Sequence, residues 1–232
     1  MRRVLRSLFV LLLLLAPLSL FPQQFGDEKE ETSPLQQTLE GLDLPRSAEE
    51  AFLKIPRRYF LPDSLAAFAD EDQSIPLAYG SIVPGYTMSA RLLKELALTR
   101  ESSLLVYGRA CGFFSAVAAT MAEKVDVVEL RQDHAGRYEE IWGNLGLHNV
   151  SLISRPAANA TEHAPYTAIL IHGSTETVPA SILDLLRDEG RLVAPLTDTT
   201  GNQLLVRIEK HSAGIDLFTV EELYFPPGDS LF

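Results

Sequence analysis

Residues 104–129 read LLVYGRACGFFSAVAATMAEKVDVVE, and this stretch decides the fold. An apolar run at 104–107 ends on Gly108, a helical run follows at 114–123, and a second apolar run at 125–129 ends on Glu129. Short apolar runs flanking a helix predict a βαβ unit, because parallel strands are buried on both faces. The alternation continues: runs at 150–154, 168–172 and 191–195 predict further strands, with helices over 133–145 and 179–187. Residues 203–210 and 217–224 alternate more and follow each other directly, which predicts an antiparallel pair at one sheet edge. Upstream, Met88, Leu92, Leu93 and Leu96 predict a helix over 88–98. Ser47 and Glu50 read as a capping box ahead of Ala51, Phe52 and Ile55. The fold class is α/β: a Rossmann-like, mostly parallel sheet with an antiparallel edge and helices on both faces.

The turn after the first strand of the unit, Gly108-Arg109-Ala110-Cys111-Gly112, is glycine-rich and opens a helix. Such a turn lets backbone approach a nucleotide, and the helix start offers free N–H groups. Its middle position is Ala110, so the pattern is a weakened one. Glu129 closes the next strand, where a carboxylate can accept hydrogen bonds from both hydroxyls of a ribose. A second reading stays open: Gly108 and Gly112 serve turn geometry and close packing, and Glu129 is a solvated strand end. His172 ends the predicted strand 168–172, at the edge where ligands bind in such folds. It either lines a pocket with Gly173, Ser174 and Thr175 or caps the strand.

Residues 1–7 carry Arg2, Arg3 and Arg6, and residues 8–21 (LFVLLLLLAPLSLF) carry no charge. A positive start followed by an apolar stretch of this length is the pattern of a secretory signal, and it is short for a transmembrane helix. No A-x-A pattern follows, so residues 1–22 read either as a cleaved signal or as an anchor that tethers the chain to the membrane. The expected location is therefore periplasmic, or the outer face of the inner membrane. Residues 23–38 are polar and acidic and read as a flexible linker, leaving residues 39–232 as one domain. Of the 232 residues 46% are hydrophobic and 22% charged, enough apolar material for a packed core. The net charge of −11 argues against nucleic acid as a partner, since binding phosphate needs a basic face. The single cysteine, Cys111, excludes a disulfide framework, and no two of the five histidines stand three or four apart, so no metal site is expected. Cys111 reads as a small buried residue of the loop.

Several blocks resemble the protein-L-isoaspartate O-methyltransferase family. These are IPRRYFLP at 55–62, AFAD at 67–70, IPLAYG at 75–80, the loop Gly108–Gly112, the strand ending at Glu129, NLGLHNV at 144–150, APYTAI at 164–169, Val178-Pro179 and EGRLV at 189–193. The resemblance covers roughly residues 40–225, and the 55–62 block lies outside the generic methyltransferase region. It implies a class I methyltransferase sheet that binds S-adenosylmethionine and methylates the α-carboxylate of isoaspartyl residues in damaged proteins. It also implies cofactor contacts from Gly108, Ala110, Gly112, Glu129 and Leu130, and substrate contacts from Tyr79, Gly80, Ile82 and Val83; His172 joins the expected substrate contacts from its place at the sheet edge. No catalytic side chain and no metal are assigned, because a carboxylate is already ionised at neutral pH.

The chain departs from the family pattern at several of these places. Val106 stands where the family has an acid two positions before its first glycine, and Arg109 stands at a position usually small or hydroxylated. Arg155-Pro156 replaces an Asp-Gly pair, and Thr167 replaces an Asp. Ile82-Val83-Pro84 replaces the family's Thr-Ile-Ser run, and its hydroxyls are lost. S-adenosylmethionine is made in the cytosol, so an exported enzyme depends on a supply outside it. The alternative expectation is therefore a catalytically inactive, exported methyltransferase fold acting as a binding or scaffold module.

Overall fold

The computed structural model describes residues 33–42, 44–153 and 163–223. The predicted signal at 1–22, the Arg155-Pro156 pair and residue 224 of the last predicted strand lie outside these. The described residues belong to one compact unit. No helix among the described residues is long and apolar enough to cross a membrane.

The compact unit begins with helices α1 (Pro34–Glu40) and α2 (Arg46–Lys54), which lead into a two-stranded ribbon of β1 (Ile75–Pro76) and β2 (Ile82–Val83) and then α3 (Tyr86–Leu96). The main sheet follows as β3 (Ser103–Gly108), α4 (Gly112–Ala119), β4 (Lys124–Glu129), α5 (Gln132–Asn144), β5 (Val150–Leu152) and β6 (Tyr166–His172). The short α6 (Ala180–Leu183), β7 (Leu186–Thr197), β8 (Gln203–His211) and β9 (Gly214–Leu223) complete it. The strand order is β5-β4-β3-β6-β7-β8-β9. β3 to β7 run parallel where they pair, and β8 is antiparallel to both its neighbours, so the expected mixed sheet is present.

The alternate sides of β3 face two separate cores. Leu104 and Val106 join the larger one with α1 to α5, while Leu105 and Tyr107 join the other with Ile182 of α6. This period of two is what a strand buried on both faces requires. An aromatic cluster of Phe52, Tyr86 and Phe113 ties α2 and α3 to α4, with Phe52 and Tyr86 edge-on at 5.5 Å.

Three expectations need correction. The stretch expected as linker is helical from Pro34, because Ser33 and Gln36 form a reciprocal capping box with Pro34 in the first turn. Ser47 is not a cap: α2 starts at Arg46 after Pro45, and no side chain caps it. The helix expected over 179–187 is only Ala180–Leu183, because Leu186 already pairs with Tyr166 and joins the core under α6.

The chain crosses from β3 to β4 on one side and returns through β6 on the other. The carboxyl end of β3 is therefore the topological switch point, where open α/β sheets bind ligands.

Candidate functional site

Gly108 is the last residue of β3, and it pairs in register with Glu129 on one side and His172 on the other. Three sequence-predicted site residues therefore stand in one row across the sheet. Backbone hydrogen bonds lock the row: Leu130 N–H donates to Gly108 O at 2.8 Å, and Arg109 N–H donates to His172 O at 3.2 Å. A Cβ on Gly108 would stand 2.1 Å from the His172 carbonyl oxygen, so only glycine fits. Ala110 holds the left-handed conformation at φ 53°, a geometry that glycine adopts without strain and alanine does not.

Glu129 is only 9% exposed, which corrects the reading of it as a solvated strand end. Its Oε2 accepts from Cys111 N–H and its Oε1 from Arg131 N–H, each at 3.0 Å. Burial pushes its carboxyl up to about 7, against the pull of those two amides and of the Tyr138 hydroxyl. Gly112 opens α4, and a Cβ there would stand 2.3 Å from Cε1 of Tyr138. The packing reading of both glycines therefore holds, whatever else they do. Leu130 turns its side chain to the second core.

His172 is 1% exposed and caps the loop rather than lining an open surface. Its Nδ1 lies 2.8 Å from Arg109 O, and a carbonyl only accepts, so Nδ1 carries the proton and Nε2 keeps a bare lone pair. Nε2 is buried with no partner. Desolvation pulls the ring down to about 4, so it is neutral at physiological pH. Cys111 is buried, as expected, and burial raises its thiol well above the usual range.

The loop over residues 79–86 is built around Gly80, at φ 69°. Ile82 and Val83 are both buried, and Val83 O accepts from Arg57 Nη2 at 3.0 Å. Their side chains therefore belong to the packing of the loop, and the Tyr79 side chain lies outside the described residues. Sequence reasoning missed two residues here. Arg57, 1% exposed, also donates to Glu71 O and Gln73 O and lies under the Tyr86 ring, so it fastens residues 71–83 to the domain. The Arg57-Arg58 pair inside the IPRRYFLP block was the available signal, although nothing in it says which of the two is buried. Ser81, beside Ile82, has a buried hydroxyl with no partner.

Of the departures noted in sequence, Val106 is a core residue and Thr167 exchanges hydrogen bonds with Ser103 at the opposite sheet edge. A surface cleft of about 540 Å³ between Arg58, Asp63, Arg137 and Glu140 lies along α5 and contains none of the predicted site residues. No group of three or more potential metal ligands clusters among the described residues.

A mixed sheet with this order, flanked by helices and with a glycine turn and a carboxylate at the switch point, is the class I methyltransferase fold. Solved structures agree. A protein-L-isoaspartate O-methyltransferase superposes with a TM-score of 0.75 at 21% identity, covering 85% of this chain and 66% of that one. One from Plasmodium falciparum, described as putative and in complex with S-adenosyl-L-homocysteine, gives 0.69 at 20% identity, covering 87% and 97%. Residues 35–229 match the protein-L-isoaspartate(D-aspartate) O-methyltransferase family, and the chain belongs to it. Among its relatives, the protein-L-isoaspartate O-methyltransferase of Herpetosiphon aurantiacus is 32% identical over 178 residues, 76% of this chain and 79% of that protein. Protein-L-isoaspartate O-methyltransferase 2 of Archaeoglobus fulgidus is 31% identical over 192 residues, 81% and 86% of the two. The chain is thus homologous to enzymes that methylate isoaspartyl residues for protein repair.

Proposed function

We propose that this chain is a protein-L-isoaspartate O-methyltransferase, moving the methyl group of S-adenosylmethionine onto the α-carboxylate of an isoaspartyl residue in a damaged protein or peptide. The row Glu129, Gly108 and His172 at the switch point carries the reading, with the left-handed turn at Ala110 leading onto α4. The residues present fit a nucleoside in part. The Glu129 carboxylate has two acceptor oxygens, and Gly108 keeps the loop flush with the sheet. Gly108, Ala110, Gly112, Glu129 and Leu130 would hold the cofactor, which supplies an electrophilic methyl group when bound. The chain's own task is alignment and exclusion of water, because the acceptor carboxylate needs no base. Residues 79–83 would position the peptide, with Ser81 the one hydroxyl within 80–84.

A second reading, a non-catalytic module on the same fold, is favoured by a specific observation. The Cys111 amide, one of the donors at the start of α4, is already bonded to Glu129. Calorimetric titration of the protein with S-adenosyl-L-homocysteine separates the two readings. Micromolar binding that Glu129→Ala abolishes supports the enzyme; no heat at millimolar ligand supports the module.

The same proposal places the chain outside the cytosol, supported by Arg2, Arg3, Arg6 and the uncharged stretch 8–21. Recovery of the protein from a periplasmic or inner-membrane fraction tests this. Recovery of the full-length mass from the cytosol alone would reject it.

A further inference from the structure

We propose that β9 is a dimer interface: its outer edge pairs antiparallel with β9 of a second copy of this chain, about a two-fold axis at Leu217. The inference stands apart from the methyl-transfer reading, since β6, β7 and β8 separate this edge from the switch point and pairing leaves the site open.

β9 ends the strand order, so among the described residues its outer backbone groups have no strand to pair with. The opposite edge is the three-residue β5, whereas β9 runs for ten residues. Long edges are ordinarily guarded by lysine, proline or a covering element. The stretch 214–219 carries neither lysine nor proline. Its side chains are largely apolar instead. Leu217 and Ile215 stand beside Ile208 and Lys210 of β8, which puts them on the face of Ile208 and the second core. Ile208 and Val206 are buried there, while one strand further out Leu217 is 56% and Ile215 51% exposed. The second core thus runs out to an open edge, with apolar surface continuing past its last covered strand.

Symmetry and charge select the register. Residues directly opposite in a sheet share a face, so two copies related by a two-fold axis must set one residue opposite itself. The regular ladder of β9 is 214–219, because the pairing with β8 slips at Val220. Centring on Ile215 would run the copy into the turn at Ser212 and Ala213, and centring on Phe218 or Thr219 would draw the Val220 bulge into the ladder. Centring on Asp216 would set two carboxylates face to face, which is repulsive. Centring on Leu217 avoids all three. Leu217 then meets Leu217 of the second copy, Ile215 meets Thr219, and Asp216 meets Phe218, while Glu221 and Glu222 lie beyond the bulge. Asp216 Oδ2 keeps His211 Nε2 of its own chain at 3.4 Å. Residues 215, 217 and 219 of both copies form one stripe that joins the two second cores.

Analytical ultracentrifugation of the protein is the test, at about 0.15 M salt to screen its net charge of −11, with a cooperative melt required of each variant. Wild type is expected at twice the mass of one chain. Leu217→Lys substitutes an exposed side chain, so the fold is kept, and it sets two like charges face to face on the axis. It is expected to weaken dimerisation at least about a hundredfold. Crosslinking under mild oxidation reads the register. Leu217→Cys is expected to give a disulfide-linked dimer, since facing Cβ atoms lie within about 5 Å, whereas Ile215→Cys, about 14 Å from its counterpart, is not. The native Cys111 is buried and takes no part. A wild type that stays monomeric at about 100 μM overturns the proposal, whether the edge is open or another segment covers it. A dimer that survives Leu217→Lys, or that crosslinks through Ile215→Cys rather than Leu217→Cys, overturns the pairing proposed here.

Discussion

The contact between Gly112 and Tyr138 predicts a coupling that stability measurements can read without any ligand. In the wild-type background, Gly112→Ala places a methyl group 2.3 to 2.6 Å from three ring carbons. Ordinary carbon contacts lie near 3.5 to 4.0 Å, so about an ångström of movement is needed. The ring is wedged by Trp142 and Phe60 and cannot swing freely. Overpacking of this kind costs about 1 to 3 kcal/mol. Tyr138→Ala alone costs about 3 to 5 kcal/mol, as for other large aromatic residues truncated in a core. In the double variant the methyl meets open space, and alanine gains up to about 1 kcal/mol over glycine from helix propensity. The coupling energy is therefore about 2 kcal/mol, with the second substitution rescuing part of the first. Urea unfolding of the four proteins measures it, with equal slopes confirming that native and denatured compactness are unchanged. If Gly112→Ala costs the same in both backgrounds to within about 0.5 kcal/mol, the ring does not rest on Gly112.

Glu129 and His172 oppose each other in pH. Burial holds Glu129 at about 7 against 4.5, so the folded state keeps a proton that the unfolded chain has released, and stability falls as pH rises from 4.5 to 7. Burial holds His172 at about 4 against 6.5, so the unfolded chain takes up a proton that the folded state refuses, and stability falls as pH drops from 6.5 to 4. At about 1.4 kcal/mol per pH unit each contributes about 3 kcal/mol, and over the shared window they nearly cancel. Stability in urea denaturation is expected to rise from pH 4 to 7 for Glu129→Gln relative to wild type and to fall for His172→Gln; the same profile in all three proteins would contradict both burials. Arg57→Met is expected to cost about 3 kcal/mol or more in urea unfolding, because the Glu71, Gln73 and Val83 carbonyls lose charged donors together. Ala97, at φ 48° after α3, is a left-handed helix end, and Ala97→Gly is expected to raise stability by up to about 1 kcal/mol in the same assay.

What could be read from the sequence was local or periodic. The strands showed as apolar runs because both faces of the parallel sheet are covered, and the glycine turn and Glu129 fell at strand ends that those runs define. Their meeting in one row follows from parallel pairing, which sets strand ends side by side. Tyr138 was not legible. Its importance is a contact between the middle of α5 and Gly112 at the start of α4, and in the α5 pattern it reads as one more core residue. His172 was located correctly, but the state of its ring depends on the Arg109 carbonyl, which no spacing reveals. At the helix starts the local rule was right where it was overlooked, at Ser33 and Gln36, and failed at Ser47, where the chain had already turned helical after Pro45.

Methyl transfer itself tests the central claim most directly. The full protein is incubated with methyl-labelled S-adenosylmethionine and a peptide containing one isoaspartyl residue, beside the same peptide with ordinary aspartate. The account predicts base-labile methyl ester on the isoaspartyl peptide alone, lost with Glu129→Ala. No label on either peptide from the folded wild-type protein would contradict it.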